Sequence, residues 1–358
     1  MDKEDKQIKE PFDPSLIDVD VATVNLGSII DMLRYEEIDL QPDFQRSMEA
    51  WNKGKKSRLI ESILLGLPLP SFYFSEDAAT KKLYIIDGLQ RLCAIKDFIL
   101  NEEDPLVLEK LQFLKDFEGK KYADLTRGER RMIDQQKITT NTLRRSTPAE
   151  VKFVIFQRIN SAGTPLTAQE MRNALNQGVA AEFIKELSVH PSFLEATGNS
   201  ISTKRMEDRD YVNRFVAFFN AYKDYNGKLD EFLNSQMGEL NRMTEAQRSK
   251  IRVSFIKSME CCHRIFQGKA FRKDMSNRSK GRIAKYIFDA VSVNVAWLSD
   301  YERSRLIDKA DLMRNGMSEL LSDSKSQKAF SSGTGQKTNV VLRFDKVKEL
   351  IKDILKRC

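Results

Sequence analysis

The spacing of apolar residues changes near residue 177, and this change limits what the chain can fold into. Before it, short aromatic or β-branched runs at 71–74, 83–86 and 137–143 stand between segments with helical spacing. After residue 178 the spacing is helical almost throughout, as in Ile251–Phe255. The sequence therefore predicts an α+β fold, with strands in the N-terminal part and an all-helical C-terminal part.

These patterns divide the chain into an arm and two domains. Residues 1–20 are charged, contain two prolines and are expected to form a flexible arm. Residues 21–177 hold the predicted strands and form the first domain. Residues 178–358 form the helical second domain.

Shorter elements are predicted inside the first domain. Apolar spacing predicts helices near 26–33 and 52–66, and Leu67-Pro68-Leu69-Pro70 ends the second of them. An extended pair is predicted around Phe113 to Tyr122. Residues 128–131, Gly-Glu-Arg-Arg, follow Thr126 without a preceding strand, which favours a capped, solvated helix start.

Composition excludes several classes of protein. The chain has 358 residues, of which 41% are hydrophobic, and this fraction excludes wholesale disorder. No run of apolar residues is long enough to cross a bilayer, and the first six residues are too charged for a signal peptide. A cytoplasmic protein without membrane contact is expected.

Cysteine and histidine are too few and too scattered for several chemistries. The four cysteines show no Cys-x-x-Cys spacing, and the two histidines, His190 and His263, have no neighbouring ligand pattern. This argues against a zinc site and against a nuclease centre that uses a histidine base. Reduced thiols are expected.

The formal net charge of +7 is concentrated in one segment. Residues 264–285 contain eight basic residues and one acidic residue, Asp274. One interpretation is a DNA-binding surface. The other is a solvated face that pairs with acidic groups. The candidate nucleic-acid contacts are Arg272, Lys273, Arg278, Lys280 and Arg282.

Three polar clusters stand at the predicted ends of elements in the first domain, where binding residues are common. The first is Pro42-Asp43-Phe44-Gln45-Arg46, after a short extended segment. The second is Asp87-Gly88-Leu89-Gln90-Arg91, between a strand and a helix. The third, between two helices, contains Asn160, Gly163, Thr164 and Pro165.

The second cluster carries the clearest chemistry. Gly88 permits a sharp turn, and the helix that follows presents free N–H groups to an anion. Arg91 is a planar donor suited to phosphate, and Gln90 can orient a water molecule or a phosphate oxygen. Asp87 is a candidate Mg²⁺ ligand, with Asp43 as a second carboxylate. The alternative is that Asp-Gly forms an ordinary turn or helix cap.

Several motifs in order resemble one family. They are residues 42–46, Trp51, the Ile-Glu-Ser-Ile-Leu-Leu-Gly-Leu-Pro-Leu-Pro run at 60–70, residues 84–92 and residues 156–166. Together they resemble the N-terminal domain of GmrSD-type type IV restriction endonucleases, a ParB/sulfiredoxin-like domain with a small mixed sheet. The resemblance covers roughly residues 20–175.

The resemblance implies nucleoside triphosphate binding and Mg²⁺-dependent hydrolysis at the Asp-Gly-x-Gln-Arg motif, coupled to restriction of modified phage DNA. Asp87, Gln90 and Arg91 match the motif's catalytic positions, and Gly88 matches its glycine. Gln45 and Arg46 match the upstream nucleotide-binding motif, and Asn160 with Gly163 match a third polar loop. Leu89 stands where many members have Gln.

One departure from the family affects the expected partners. The full-length endonucleases carry a His-Asn-His nuclease domain, for which this chain has too few histidines. DNA cleavage is therefore expected from a nuclease or other defence subunit. The alternative is a ParB-like DNA or nucleotide sensor without useful turnover, and homo-oligomer formation is left open.

Overall fold

The computed structural model describes residues 14–40, 51–77, 81–159, 166–176, 178–273, 281–323, 329–330 and 333–357. The chain divides into two compact units, residues 1–166 and 167–358. The sequence places the boundary at residue 177 instead. The difference is one short helix, which the structure assigns to the second unit.

The first unit contains a five-stranded mixed sheet. Its strands are β1 (Val19–Asn25), β2 (Ile38–Asp39), β3 (Phe72–Glu76), β4 (Leu83–Asp87) and β5 (Lys137–Leu143). Their order across the sheet is β1-β5-β3-β4-β2. The pairs β1–β5 and β3–β4 are antiparallel, whereas β3–β5 and β2–β4 are parallel. The small mixed sheet expected for the first domain is confirmed.

Five helices accompany the sheet within the described part of this unit. They are α1 (Leu26–Arg34), α2 (Lys53–Leu64), α3 (Leu89–Ile99), α4 (Arg127–Gln135) and α5 (Ala149–Ile159). The predicted cap of α4 is confirmed, because Thr126 and Glu129 bond reciprocally to each other's backbone N–H groups. Asn52 caps α2 by accepting from the N–H of Lys55.

Because β2 and β4 pair in parallel, the carboxyl ends of both strands face the same side of the sheet. Ile38 pairs with Leu83 and Asp39 with Tyr84, so both strands run in the same direction. β2 leads toward the first polar cluster, and β4 ends at Asp87, the first residue of the second. The carboxyl ends of β2 and β4 therefore point in the same direction.

Two sequence predictions in this unit are wrong. The predicted arm is too long, because β1 begins at Val19 and pairs along its whole length with β5. The extended pair near 113–122 is replaced by short 3₁₀ turns at Lys115–Phe117 and Tyr122–Asp124.

A buried carboxylate, that of Glu61, explains why the segment near residues 113–122 does not form an extended pair. Glu61 of α2 accepts hydrogen bonds from the backbone N–H groups of Gln112, Phe113 and Leu114, at 3.0, 2.6 and 2.8 Å. These N–H groups would otherwise need strand partners. Burial raises the pKa of Glu61, but the backbone donors and nearby Lys115 together lower it by more than burial raises it. The net pKa therefore lies below its usual value.

The second unit is helical in its described residues. Its helices are α6 (Ala168–Leu175), α7 (Val179–Ser188), α8 (Pro191–Thr197), α9 (Glu207–Ala221), α10 (Leu229–Arg242), α11 (Glu245–Phe266), α12 (Lys285–Ala296), α13 (Asp300–Asp308), α14 (Ala310–Ser322) and α15 (Lys337–Lys356). Their apolar faces form one continuous core that includes Phe215, Phe255 and Phe288. The predicted helical C-terminal part is confirmed.

A buried ion pair joins two central helices of this unit. Arg214 of α9 donates to Asp289 of α12 through both Nε and Nη2, and both side chains are buried. Such a pair is costly to break, because either group left alone would be an uncompensated buried charge. None of the helices that the structure describes has the length and apolarity needed to cross a membrane.

Candidate functional site

The second polar cluster lies at the junction of β4 and α3, as predicted. β4 ends at Asp87, Gly88 occupies the N-cap position, and α3 begins at Leu89. Gly88 has φ +102°, a left-handed conformation that favours glycine. A Cβ at this position would lie 2.4 Å from Cδ1 of Phe72, so the neighbouring strand also excludes a side chain. Glycine is therefore required here by conformation and by space.

Arg91 is held inside the first unit. Its Nη2 donates to Oδ2 of Asp87 at 2.9 Å and to the carbonyl of Ser71 at 3.1 Å, and its Nη1 donates to the carbonyl of Pro70. The guanidinium also lies 4.5 Å from the ring centroid of Phe72. Burial lowers the pKa of Arg91, and the Asp87 carboxylate opposes that effect. In this arrangement both terminal nitrogens of Arg91 are engaged by protein groups.

Asp87 is more accessible than its partner. Its side chain is 40% exposed, whereas that of Arg91 is 9% exposed. Only Oδ2 is engaged by Arg91, so Arg91 orients the carboxylate without engaging its other oxygen. A single carboxylate together with nucleotide phosphates is a donor set that Mg²⁺ accepts. No group of three or more His, Cys, Asp or Glu side chains that could hold a metal occurs among the described residues.

Gln90 links the cluster to the segment before α2. Its Oε1 accepts a hydrogen bond from the backbone N–H of Trp51 at 3.1 Å. Trp51 comes after the first polar cluster in sequence, separated from it by residues 47–50, and its ring centroid lies 4.7 Å from Nζ of Lys55. No hydrogen bond joins the amide nitrogen of Gln90 to a described residue, and this nitrogen can donate to a ligand.

Six of the predicted residues of the first unit cannot be placed. Asp43, Gln45 and Arg46 of the first cluster and Asn160, Gly163 and Thr164 of the third lie outside the described residues. The predictions of nucleotide contacts at these positions, and of Asp43 as a metal ligand, stay predictions. The structure brings together Asp87, Gly88, Gln90 and Arg91.

Sequence reasoning missed the partners that hold this junction together. Phe72 and the carbonyls of Pro70 and Ser71 surround the Arg91 guanidinium. The run Leu67-Pro68-Leu69-Pro70 indicated only the end of a helix. A signal was nonetheless present, because a proline has no N–H to enter a strand ladder but keeps a carbonyl that still needs a donor.

The predicted nucleic-acid contacts in the basic segment of the second unit differ in their exposure. Arg272 is buried and donates to the carbonyls of Gly281, Gly268, Ala270 and Thr197 and to Oγ of Ser200. Arg272 therefore does not present its guanidinium to a nucleic acid, which corrects the prediction of that role.

The other predicted nucleic-acid contacts differ from Arg272. Lys273 and Arg282 are exposed, as a phosphate contact requires. Arg278 and Lys280 lie outside the described residues. Of the five predicted contacts, Lys273 and Arg282 are thus the two described side chains exposed to a polyanion, and their nucleic-acid role stays a prediction.

The comparisons with known proteins give one family. Residues 27–177 match the model of the GmrSD restriction endonuclease N-terminal domain. No curated protein and no solved structure matches the chain. The matched region contains the entire β4–α3 junction and all three polar clusters. Residues 27–177, less than half of the chain, are therefore similar to the N-terminal domain of the GmrSD restriction endonucleases.

Proposed function

We propose that the protein is the nucleotide-binding and nucleotide-hydrolysing subunit of an antiphage, modification-dependent DNA restriction system. Under this proposal DNA cleavage comes from another subunit. The observation that carries it is the position of the Asp87–Arg91 motif. The motif lies at a strand-to-helix junction inside a domain of a restriction family. A cytoplasmic location belongs to the same proposal.

The junction supplies groups that suit a triphosphate. The first turn of α3 has no side-chain cap, because Gly88 stands at the N-cap. Its leading N–H groups therefore suit a phosphate oxygen. Gln90 adds an amide donor from the same turn, held in place through its bond to Trp51.

The acidic group of the junction suits the metal that accompanies a triphosphate. Asp87 would hold Mg²⁺ through the oxygen that Arg91 does not engage. Magnesium, when bound, would neutralise charge on the phosphate oxygens. Gln90 would orient the attacking water or a phosphate oxygen. Arg91 acts in this scheme as a positioning residue that fixes the Asp87 carboxylate.

A phosphate-release assay tests the proposal. Purified protein is incubated with Mg²⁺ and each nucleoside triphosphate in turn, and Asp87→Asn and Gln90→Ala are compared with the wild type. We expect either change to lower turnover by about a hundredfold or more. Asp134→Asn and Gln135→Ala are matched controls, since both side chains are exposed on α4. Equal turnover in all five proteins would refute the catalytic assignment.

A second candidate function is a nucleotide sensor without useful turnover. The engagement of both terminal nitrogens of Arg91 favours it, because three of the five guanidinium donors are then directed at protein groups. Calorimetry separates the two functions. Nucleotide binding that Asp87→Asn or Gln90→Ala weakens, with no phosphate release by the wild type, would establish the sensor.

A further inference from the structure

A cavity of about 490 Å³ lies within the second unit. Its walls come from the start of α6, the 202–206 connection, the first turn of α9 and the residues at the start of α12. This volume lies in the range of small-molecule sites and exceeds what an inorganic ion needs. The cavity is independent of the β4–α3 junction, which belongs to the first unit.

The cavity has more basic than acidic side chains. Four basic residues line it, together with the two acidic residues Glu207 and Asp210. Arg205 pairs with buried Glu170 at 2.9 Å, and Lys285 pairs with Asp210 at 2.7 Å. The other two basic residues, Lys204 and Arg282, are exposed and make no ion pair with any described residue.

One of the two acidic residues of this wall, Asp210, is paired from inside the protein. Asp210 accepts from Arg172 at 2.7 Å as well as from Lys285. Burial raises the pKa of Asp210, but Arg172 and Lys285 together lower it by more than burial raises it. Its net pKa therefore lies below the usual value. The Asp210 carboxylate is thus ionised and paired, so of the acidic lining residues only Glu207 stands beside the exposed cations Lys204 and Arg282, and the basic side chains remain in excess.

A buried amide in the same wall has an unused donor. Gln169 is 2% exposed, and its Oε1 accepts from Nε of Arg172 at 2.9 Å and from Nδ2 of Asn213 at 3.2 Å. Two donors at one atom identify it as the amide oxygen. The other amide atom, Nε2, is buried and has no hydrogen-bond acceptor among the described residues. Buried donors are nearly always satisfied by protein or by water, so this one is available to an acceptor outside the described residues.

The backbone beside the amide is held in an uncommon conformation. Arg205 and Met206 both have positive φ, at +58° and +57°. Arg205 is fixed through its pair with Glu170 and through its carbonyl, which accepts from Oγ1 of Thr167 at 3.2 Å. The wall that carries Lys204 is therefore built around fixed contacts with α6.

We propose that this cavity binds a phosphate-bearing nucleotide unit. Lys204 and Arg282 contact its phosphate, and Nε2 of Gln169 donates to an acceptor atom of its base or sugar. A nucleotide within a DNA strand and a free nucleotide offer the same chemistry. The cavity is a second site, separate from the triphosphate site proposed at Asp87–Arg91.

Equilibrium binding to the full chain tests this proposal with two probes. One probe is a short single-stranded DNA oligonucleotide of mixed sequence, and the other is adenosine monophosphate. The double variant Lys204→Glu/Arg282→Glu removes the phosphate contacts. Gln169→Glu keeps an oxygen for Arg172 and Asn213 but replaces the amide donor. The matched control is Lys348→Glu/Lys352→Glu, which reverses two exposed lysines on α15 of the same unit.

We expect both cavity variants to weaken binding by about tenfold or more, and the control by less than about threefold. Loss of binding for both probes supports a cavity that a free nucleotide fills. Loss for the oligonucleotide, with no monophosphate binding by the wild type, supports a nucleotide within a strand. The proposal is overturned if the wild type binds neither probe, or if both cavity variants bind as tightly as the wild type.

Discussion

Arg91 of the first unit and Arg282 of the second are both predicted from sequence to contact phosphate, and the fold treats them differently. Arg91 is buried, and its terminal nitrogens donate to Asp87 and to two backbone carbonyls. Arg282 is exposed at the edge of a cavity and pairs with no described acidic residue. The comparison shows that an arginine in a motif can be buried and position other groups, while one outside it stays exposed.

Arg272 extends the comparison within the basic segment. It stands next to exposed Lys273 in sequence, yet its guanidinium closes onto four backbone carbonyls. A guanidinium with five donors is well suited to such a role, because it satisfies several buried carbonyls at once. Charge counted along the sequence therefore overstates the charge available at the surface.

The largest expected effect is at Gly88, beside Arg91. Gly88→Ala introduces a Cβ 2.4 Å from the Phe72 ring at a positive φ, so we expect a loss of about 3 kcal/mol or more in the free energy of unfolding. Gly66→Ala is the matched control, since Gly66 has φ +69° with no atom within 4 Å of its added Cβ. That control should cost about 1 kcal/mol. Equal losses in urea unfolding would show that Phe72 is not tightly packed here.

The next effect separates the two arginines directly. Arg91→Met leaves Asp87 and two carbonyls without their donor and should cost about 2–3 kcal/mol. Arg282→Met should change the unfolding free energy by less than about 0.5 kcal/mol, since the side chain is exposed. Denaturant unfolding of both variants is the measurement. A stable Arg91→Met protein would mean that Arg91 is as free for ligand as Arg282.

A smaller effect, dependent on pH, is expected at Glu61. Its pKa is lowered from 4.5 in the folded protein, so its stabilising contribution is complete above that value. The contribution is lost as the pH falls through the lower, folded-state pKa. Glu61→Gln should cost about 1–2 kcal/mol at neutral pH and lose this dependence. Urea unfolding from pH 7 into the acid range checks it, and parallel curves for both proteins would contradict the assignment.

The smallest effect concerns DNA affinity at the basic segment. Lys273→Glu should weaken binding of duplex DNA severalfold and reduce the slope of affinity against salt by about one. Fluorescence anisotropy at several salt concentrations measures both quantities. Arg272→Glu instead should destabilise the fold, because it breaks a buried set of carbonyl contacts. An unchanged salt slope for Lys273→Glu would assign this lysine to a solvated face.

Local signals in the sequence predicted much of the fold. The strand at 83–87 followed by Gly88, the cap at Thr126 and the later helices all rest on residues close together in the chain. The strand at Val19–Asn25 was missed because its partner, β5, is more than a hundred residues away. The prediction of an extended pair near 113–122 was wrong for a related reason. The N–H groups at the start of this segment donate to Glu61, which lies on a helix about fifty residues earlier in the chain.

The candidate site shows the same limit. The sequence pattern located Asp87, Gly88, Gln90 and Arg91 at a strand-to-helix junction. It did not reveal that Arg91 faces the carbonyls of Pro70 and Ser71, since only tertiary packing determines which carbonyls a guanidinium meets. The unused donor of Gln169 was equally hidden, because it depends on two partners that fix the amide.

Photo-crosslinking with 8-azido derivatives of ATP and GTP tests the central claim most directly, because it locates the nucleotide in the intact chain. The labelled protein is digested, and the modified peptides are identified by mass spectrometry, with and without excess unlabelled nucleotide. We expect labelled peptides from the first unit, around the β4–α3 junction, and their loss on competition. Competed label found only in residues 167–358 would contradict a nucleotide site at Asp87–Arg91.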